Sequence, residues 1–475
     1  MVTIQVSSNN ASDLGRPNIL LICVDSLRAD YCFDEKKSSH APNLDFLIKN
    51  GIICKQAITS TDYTITSLSS VFNSHYPFDA GIKVEQNFNI LANNNFLNIL
   101  RNNNYNIFST IPKSFSRLGF NFKFDNINSS YNDDSGEHKF FLNLGLGEEI
   151  LENLKSTKFK SPWLYYIHLN DLHSGTNIPK KFDGEKFGHN LYAKKISAVD
   201  EWIGKFLKQV NIKNTLIVLF SDHGDYVRSA LDSNESIDLE FPRIRTLGWK
   251  IGKKTPNTLK HIKGKIDMKV KDLLIKQKLK NKHTELTQFE KRNIFSDRTD
   301  FERMLYDDIV KIPLIFTGYN FSKNSISQQV RSIDIFPTIL EILDIQIEHK
   351  NIQGQSLVPL FDGKKIGEQP AYMESSIYAI SDEFKAPTKP AIGIRTSKYK
   401  YFRKIKDSSE KYLFDLTKDP NEENNISKLK PNVIEEMETI LQNIRRGNLD
   451  KSQKRKMTEE ETQRVEKELK KLGYI

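Results

Sequence analysis

Little in this chain marks it as secreted or membrane-spanning. Its 475 residues include three cysteines, Cys23, Cys32 and Cys54. An odd number crowded near the N-terminus cannot make a disulfide framework and agrees with a reducing compartment. The first fifteen residues, MVTIQVSSNNASDLG, are polar and show no apolar run after a basic start, so no secretory signal is read there. Nor does any stretch approach the roughly 18 uninterrupted apolar residues of a membrane span. Internal repeats are absent. A cytoplasmic setting is the resulting expectation. Hydrophobic residues at 38% and charged residues at 27% also exclude wholesale disorder and a fibrous repeat.

What is present fits a large α/β protein. At this length one core usually divides, and we read a catalytic domain over 1–345 followed by a small α+β subdomain over 346–475. RPNILLICVDSLRADY opens with Pro17, continues with an apolar run from Ile19 to Val24, and leaves Asp25 at its end. Such a run is a strand buried on both faces. TLIVLFSDHGD repeats the pattern and ends on Asp222, His223 and Asp225, while WLYYIHLNDLHSG ends on Asp171 and His173. Helical patterns lie between them: APNLDFLIKNG, Lys195 to Val210, and Ile333 to Ile345. Strands alternating with helices predict a mainly parallel central sheet, with ligands bound outside the carboxyl ends of its strands. After about residue 350, IGIRTSKYKYFRKI and KYLFDL read as a small antiparallel sheet, and EETQRVEKELKKLGYI as a closing amphipathic helix.

Lysine and arginine outnumber aspartate and glutamate 70 to 60. Much of the excess lies in an insertion at about 226–300, where Lys250, Lys253, Lys254, Lys260, Lys263 and Lys265 fall. It reads as a helical arm or lid beside the site, or equally as a solvated helix pair. Basic excess favours anionic partners; the partner expected is an anionic ester, on a glycan or lipid head group, and nucleic acid is not expected.

Asp25, Asp222 and His223 offer two carboxylates and an imidazole at strand ends, a donor set suited to a divalent cation. Thr64 would gain from such a cation, because a threonine hydroxyl is a poor nucleophile until a base or metal activates it. In the bland reading Thr64 and Ser67 only cap a helix starting near Ser67; both readings are compatible, since a helix N-terminus also favours an anion.

The order of the motifs resembles the sulfatase family of the alkaline phosphatase-like superfamily over nearly the whole chain. PNILLICVDSLRAD, APNLDFLIKNGI, SDHGD, LYDDIVKIPLIF, SIDIFPTILEIL, IQGQSLVPLFDG, KYLFDLTKDPNEENNI and LKKLGYI are similar to family signatures in the family's order. The resemblance implies an alkaline phosphatase-like fold and chemistry at a phosphorus or sulfur centre. It implies metal ligands at Asp25, Thr64, Asp222 and His223, with His173 facing the transferred group or leaving oxygen. Arg28 falls near the anion, and Arg303 takes the place of a histidine or lysine just before LYDD.

One departure matters. Family members carry Cys-x-Pro-x-Arg or Ser-x-Pro-x-Arg, whose first residue becomes formylglycine, whereas this chain has Thr64-Ile65-Thr66-Ser67-Leu68. Oxidised threonine would be a ketone, so Thr64 must attack as its own alkoxide. Phosphoethanolamine transferases and lipoteichoic acid synthases, relatives of the family, also use threonine. The expected activity is a metal-dependent hydrolase or phosphotransferase on phosphoric esters, phosphodiesters included, through a phospho-threonine. Alternatives are a sulfuric ester hydrolase with an unusual nucleophile, and an inactive relative binding an anionic glycan or lipid head group. One divalent cation is expected, manganese or zinc before calcium or magnesium.

Overall fold

The computed structural model describes residues 15–449 apart from 35–36, 79–89, 134–140, 157–159, 174–177, 233–234, 240–269, 271–272, 281–284, 297–304, 320, 347–351, 376–390 and 406–407. The first ten strands in chain order are β1 (Asn18–Val24), β2 (Ile52–Ile58), β3 (Asn106–Pro112), β4 (Ser130–Tyr131), β5 (Trp163–Leu169), β6 (Thr215–Phe220), β7 (Ser229–Asp232), β8 (Glu235–Asp238), β9 (Lys311–Gly318) and β10 (Asn324–Ile326). They are followed by β11 (Val330–Arg331), β12 (Ala371–Glu374), β13 (Ala391–Arg395), β14 (Tyr399–Lys404) and β15 (Lys411–Asp415).

Nine of these form one sheet in the order β10-β2-β9-β6-β1-β5-β3-β4, with β11 also beside β2. β1 lies at its middle, parallel to β5 and β6, and β9 runs antiparallel to both of its neighbours. The expected mainly parallel sheet is therefore present. Every residue of β1 is buried because alternate side chains enter two different cores. Ile19, Leu21 and Cys23 face the helices Thr64–Asn73, Phe96–Asn102 and Ile335–Ile342. Leu20, Ile22 and Val24 face Pro42–Asn50, Leu146–Ser156 and Leu191–Leu207. That two-sided burial is what the unbroken apolar run records.

β12 to β15 make the expected small antiparallel sheet in sequence order. The helix Pro431–Leu449 covers one face through Ile434, Met437 and Leu441. The other face packs Met373, Phe402 and Phe414 against Ile58, Tyr226 and Ile309. In addition, the Glu374 amide donates to the Ser60 carbonyl at 3.0 Å. This second sheet thus buttresses the loop that leads from β2 to Thr64.

Several expectations shift. The helix after β2 begins at Thr64 itself, with Tyr63 as its N-cap, rather than near Ser67. The helix expected over Lys195–Val210 runs from Leu191 to Leu207, because the Asn190 side chain caps it by accepting from the Ala193 amide. The pattern over Ile333–Ile345 is helical only at Ile335–Ile342, after a 3-10 turn at Ser332–Asp334. The insertion opens with the hairpin β7–β8 before any helix. Its described helical parts are 273–279 and Gln288–Phe295. The six lysines from Lys250 to Lys265, Arg303 and the closing EETQRVEKELKKLGYI lie outside the described residues. Among the described residues no helix is long and apolar enough to cross a membrane.

Candidate active site

β1, β2, β5 and β6 point the same way, so their carboxyl ends meet at one edge of the sheet. Asp25 leaves β1 there, its amide held by the Leu169 carbonyl of β5 at 2.9 Å. Asp222 and His223 leave β6 and are fully buried. Thr64, 4% exposed, is the first residue of a ten-residue helix whose opening amides lack intrahelical partners and favour an anion. Its Oγ1 lies 3.3 Å from Asp25 Oδ2 and 3.3 Å from His223 Nε2. Four expected ligands, spread over two hundred residues, share one point.

Local bonding aims each donor inward. Asp222 Oδ1 accepts from the amides of Ser26 at 3.2 Å and His223 at 2.9 Å. Its Oδ2 is buried and has no hydrogen-bond partner among the described residues. Ser26 reaches Asp222 by taking a left-handed backbone, φ 64°, and its hydroxyl donates to Asp25 Oδ1 at 2.6 Å. His223 Nδ1 meets the Gly224 carbonyl at 2.8 Å. With the proton on Nδ1, the Nε2 lone pair faces Thr64, the arrangement of a metal-binding imidazole. Gly224 has no alternative residue, because a Cβ there would stand 2.1 Å from the Asp308 carbonyl oxygen. The Ser67 hydroxyl lies 2.8 Å from the Asp222 carbonyl and 2.9 Å from Thr59 Oγ1. It locks the helix to the end of β6 and is not available for attack.

One donor atom from each of Asp25, Asp222 and His223 lies within 4.8 Å of the others. An unpartnered carboxylate oxygen buried beside a second carboxylate is costly without a cation. The donor–donor separations of 3.3–3.6 Å at Thr64, Asp25, His223 and Asp222 match those around a small divalent ion bound at about 2.0–2.2 Å. The residues therefore fit the expected cation. Burial alone would raise the Asp25 carboxyl, but the surrounding imidazoles of His168, His223 and His173 hold it below the usual carboxylate range.

The remaining candidates divide. His173 lies in the turn after β5, close enough to act on Asp25 electrostatically. The neighbouring Asp171 is buried, and burial pushes its carboxyl up to about 7. Arg28 needs correction. Its guanidinium is 2% exposed and bonded to Asp30, Asp308, Asn293 Oδ1 and the Asp225 carbonyl. With its donors occupied by protein, Arg28 braces the loop Asp222–Asp225 instead of meeting an anion. The cysteines are free and buried, and burial lifts all three thiols above their ordinary range, which excludes a thiolate nucleophile. Sequence reasoning missed His168. The signal was a lone imidazole inside the apolar run of β5.

The sulfatase family model matches residues 17–345, and a model described as N-sulphoglucosamine sulphohydrolase, C-terminal, matches residues 298–447. The chain belongs to the sulfatase family. It is similar to arylsulfatase K of Mus musculus, 24% identical over 307 residues, covering 62% of this chain and 52% of that protein. It is also similar to a Delta 4,5-hexuronate-2-O-sulfatase of Bacteroides thetaiotaomicron, 28% identical over 127 residues, 26% of this chain and 25% of the other. The chain spans about half the length, or less, of the curated relatives it matches. Among solved structures, a phosphonate monoester hydrolase of Agrobacterium radiobacter superposes with a TM-score of 0.60 at 15% identity, covering 91% of this chain and 96% of the other. A 2-O GAG sulfatase gives 0.58 at 18% identity, covering 92% and 93%. These likenesses establish the sulfatase fold.

Proposed function

We propose that this sulfatase-family chain is a hydrolase or transferase of phosphoric esters that uses the Thr64 hydroxyl as nucleophile and a divalent cation held by Asp25, Thr64, Asp222 and His223. The observation that carries the reading is the position of Thr64 Oγ1, first in its helix and 3.3 Å from both a carboxylate and an imidazole of the cluster. When bound, the cation would favour the alkoxide and neutralise charge on the ester; manganese or zinc suits a set containing an imidazole.

The chain's own residues then have defined tasks. The Thr64 proton goes to solvent, and the oxygen bonds to phosphorus as the bond to the leaving alcohol oxygen breaks. His173 gives that oxygen a proton. In the second step water, or an acceptor alcohol, loses a proton to His173 and bonds to phosphorus. The Thr64–phosphorus bond breaks and Thr64 regains a proton from solvent. Amides at the start of the helix Thr64–Asn73 favour the charge on the non-bridging oxygens.

Sulfate ester hydrolysis is the second reading, supported by family membership and by relatives that are sulfatases. The hexuronate sulfatase among them also supports a sugar as the esterified group. Attack by threonine favours phosphorus, because a sulfated threonine cannot expel sulfate by the elimination open to a formylglycine hydrate. The test is turnover of matched aryl phosphodiester, phosphomonoester and sulfate substrates by metal-reconstituted protein, with mass spectrometry of the trapped Thr64 peptide. A mass gain on Thr64 of one phosphoryl group, together with the retained ester when a phosphodiester is used, supports the first reading. Turnover of the sulfate ester alone supports the second.

A further inference from the structure

His168 and Tyr166 have no part in the chemistry above, yet both are fully buried at the edge of the site. They lie two apart on β5 and so on one face of the sheet. Register places His168 beside Cys23, two residues before Asp25. A polar ring in a strand buried on both sides is expensive unless its nitrogens are used. Tyr166 Oη lies 3.0 Å from His168 Nδ1, and His168 Nε2 lies 3.5 Å from Asp25 Oδ2. Phe115 packs edge-on against the imidazole at 4.7 Å, and the Tyr131 hydroxyl donates to the His168 carbonyl at 3.0 Å. The ring is held from several sides, and among the described residues its Nε2 has no hydrogen-bond partner.

We infer that Tyr166 and His168 are positioning residues for the metal-binding carboxylate of Asp25. The inference rests on the proposed cation site. Tyr166 donates to Nδ1, which leaves the proton on Nε2, the nitrogen that lies 3.5 Å from Asp25 Oδ2. The opposite tautomer would set a nitrogen lone pair against a carboxylate oxygen. His168 is outside the compact group formed by Asp25, Asp222 and His223, so it acts on the ligand and not as one. Asp25 is then bonded at Oδ1 by Ser26 at 2.6 Å and faced at Oδ2 by His168 at 3.5 Å. That leaves its position fixed before any cation arrives, the usual task of an outer partner to a ligating carboxylate.

The experiment measures manganese and zinc affinity by titration calorimetry on the full chain. It compares wild type with His168→Leu, His168→Gln and Tyr166→Phe, each checked for folding by circular dichroism. His168→Leu is expected to weaken binding roughly 10- to 100-fold. His168→Gln, whose amide nitrogen can occupy the place of Nε2, should recover most of the loss. Tyr166→Phe keeps the ring and loses only the hydroxyl, and should weaken binding severalfold. Wild-type affinity in both the His168→Leu and the Tyr166→Phe variants would overturn the inference, and so would equal loss in His168→Leu and His168→Gln, which would mark a packing role. A wild-type chain that binds neither ion would overturn the cation site itself, a distinguishable result.

Discussion

Two clusters of buried charge border the loop Asp222–Asp225, and they are built on opposite terms. In one, Arg28, Arg292, Arg395 and Lys400 meet Asp30, Asp307, Asp308 and Glu422 at 2.6–3.0 Å. Four cations balance four carboxylates. The network joins the β1 loop, the insertion helix Gln288–Phe295, the segment before β9 and the second sheet. In the other, Asp25 and Asp222 lie beside imidazoles, hydroxyls and backbone amides, and among the described residues Asp222 Oδ2 has no hydrogen-bond partner. A network with a cation for each carboxylate uses its charge to hold elements together. Carboxylates gathered without matching cations offer donors to a bound ion, and such groups mark candidate functional sites.

The contrast is most easily broken at Thr64. Thr64→Ala should cut turnover by roughly 10⁴-fold or more, the scale of losing an attacking group, while the unfolding midpoint stays near wild type. Steady-state kinetics beside urea melts would show it, and retained activity would leave a water as nucleophile. Asp308→Asn should do the reverse. It strips a buried partner from Arg28 and Arg292, and should cost about 3–5 kcal/mol of stability with metal affinity of the folded fraction little changed.

Removing a charge from the open cluster should act with the opposite sign. Metal-free Asp222→Asn should be more stable than metal-free wild type, by about 1 kcal/mol, since a like charge is gone. It should also lose the stabilisation that metal gives wild type, about 2.7 kcal/mol at a free ion concentration one hundred times the dissociation constant. Thermal melts with and without chelator would separate the two terms. If chelation leaves the wild-type melt unchanged, the open cluster holds no cation.

The contrast also extends to pH. Asp171, beside the open cluster, is raised by burial to about 7 in the fold, against about 4 in an unfolded chain. The folded state keeps a proton that the unfolded state has lost, so stability should fall as pH rises from about 4 to about 7, by at most about 1.4 kcal/mol per unit. Asp307 in the paired network behaves oppositely. Burial would raise it, but Arg395 and Lys400 hold it below the usual range. Its contribution is complete above about pH 4 and is lost as pH falls further. Urea melts from pH 3 to pH 8 should show both limbs, and Asp171→Asn should flatten the upper one alone.

Part of this was legible in the chain itself. The apolar runs Ile19–Val24 and Leu216–Phe220 specified strands buried on two faces, and the polar residues that end them specified Asp25, Asp222 and His223 as a site. Both are local statements, because a run's length and the residue that stops it depend only on neighbours in sequence. The start of the helix at Thr64 was less accessible, since Tyr63 caps it with no side-chain hydrogen bond that could be read as a signal. Arg28 and His168 were beyond local reading. Arg28 stands three residues from Asp25, but its guanidinium is turned by Asn293 and Asp308, 265 and 280 residues away. His168 is hidden in an apolar run, and only the pairing of β5 with β1 brings it to Asp25. Sequence determined which residues have the chemistry, because donor type and strand periodicity are properties of short segments. Tertiary structure decided which of them are left open to use it, because a buried charge is neutralised or exposed by whatever distant segment folds against it.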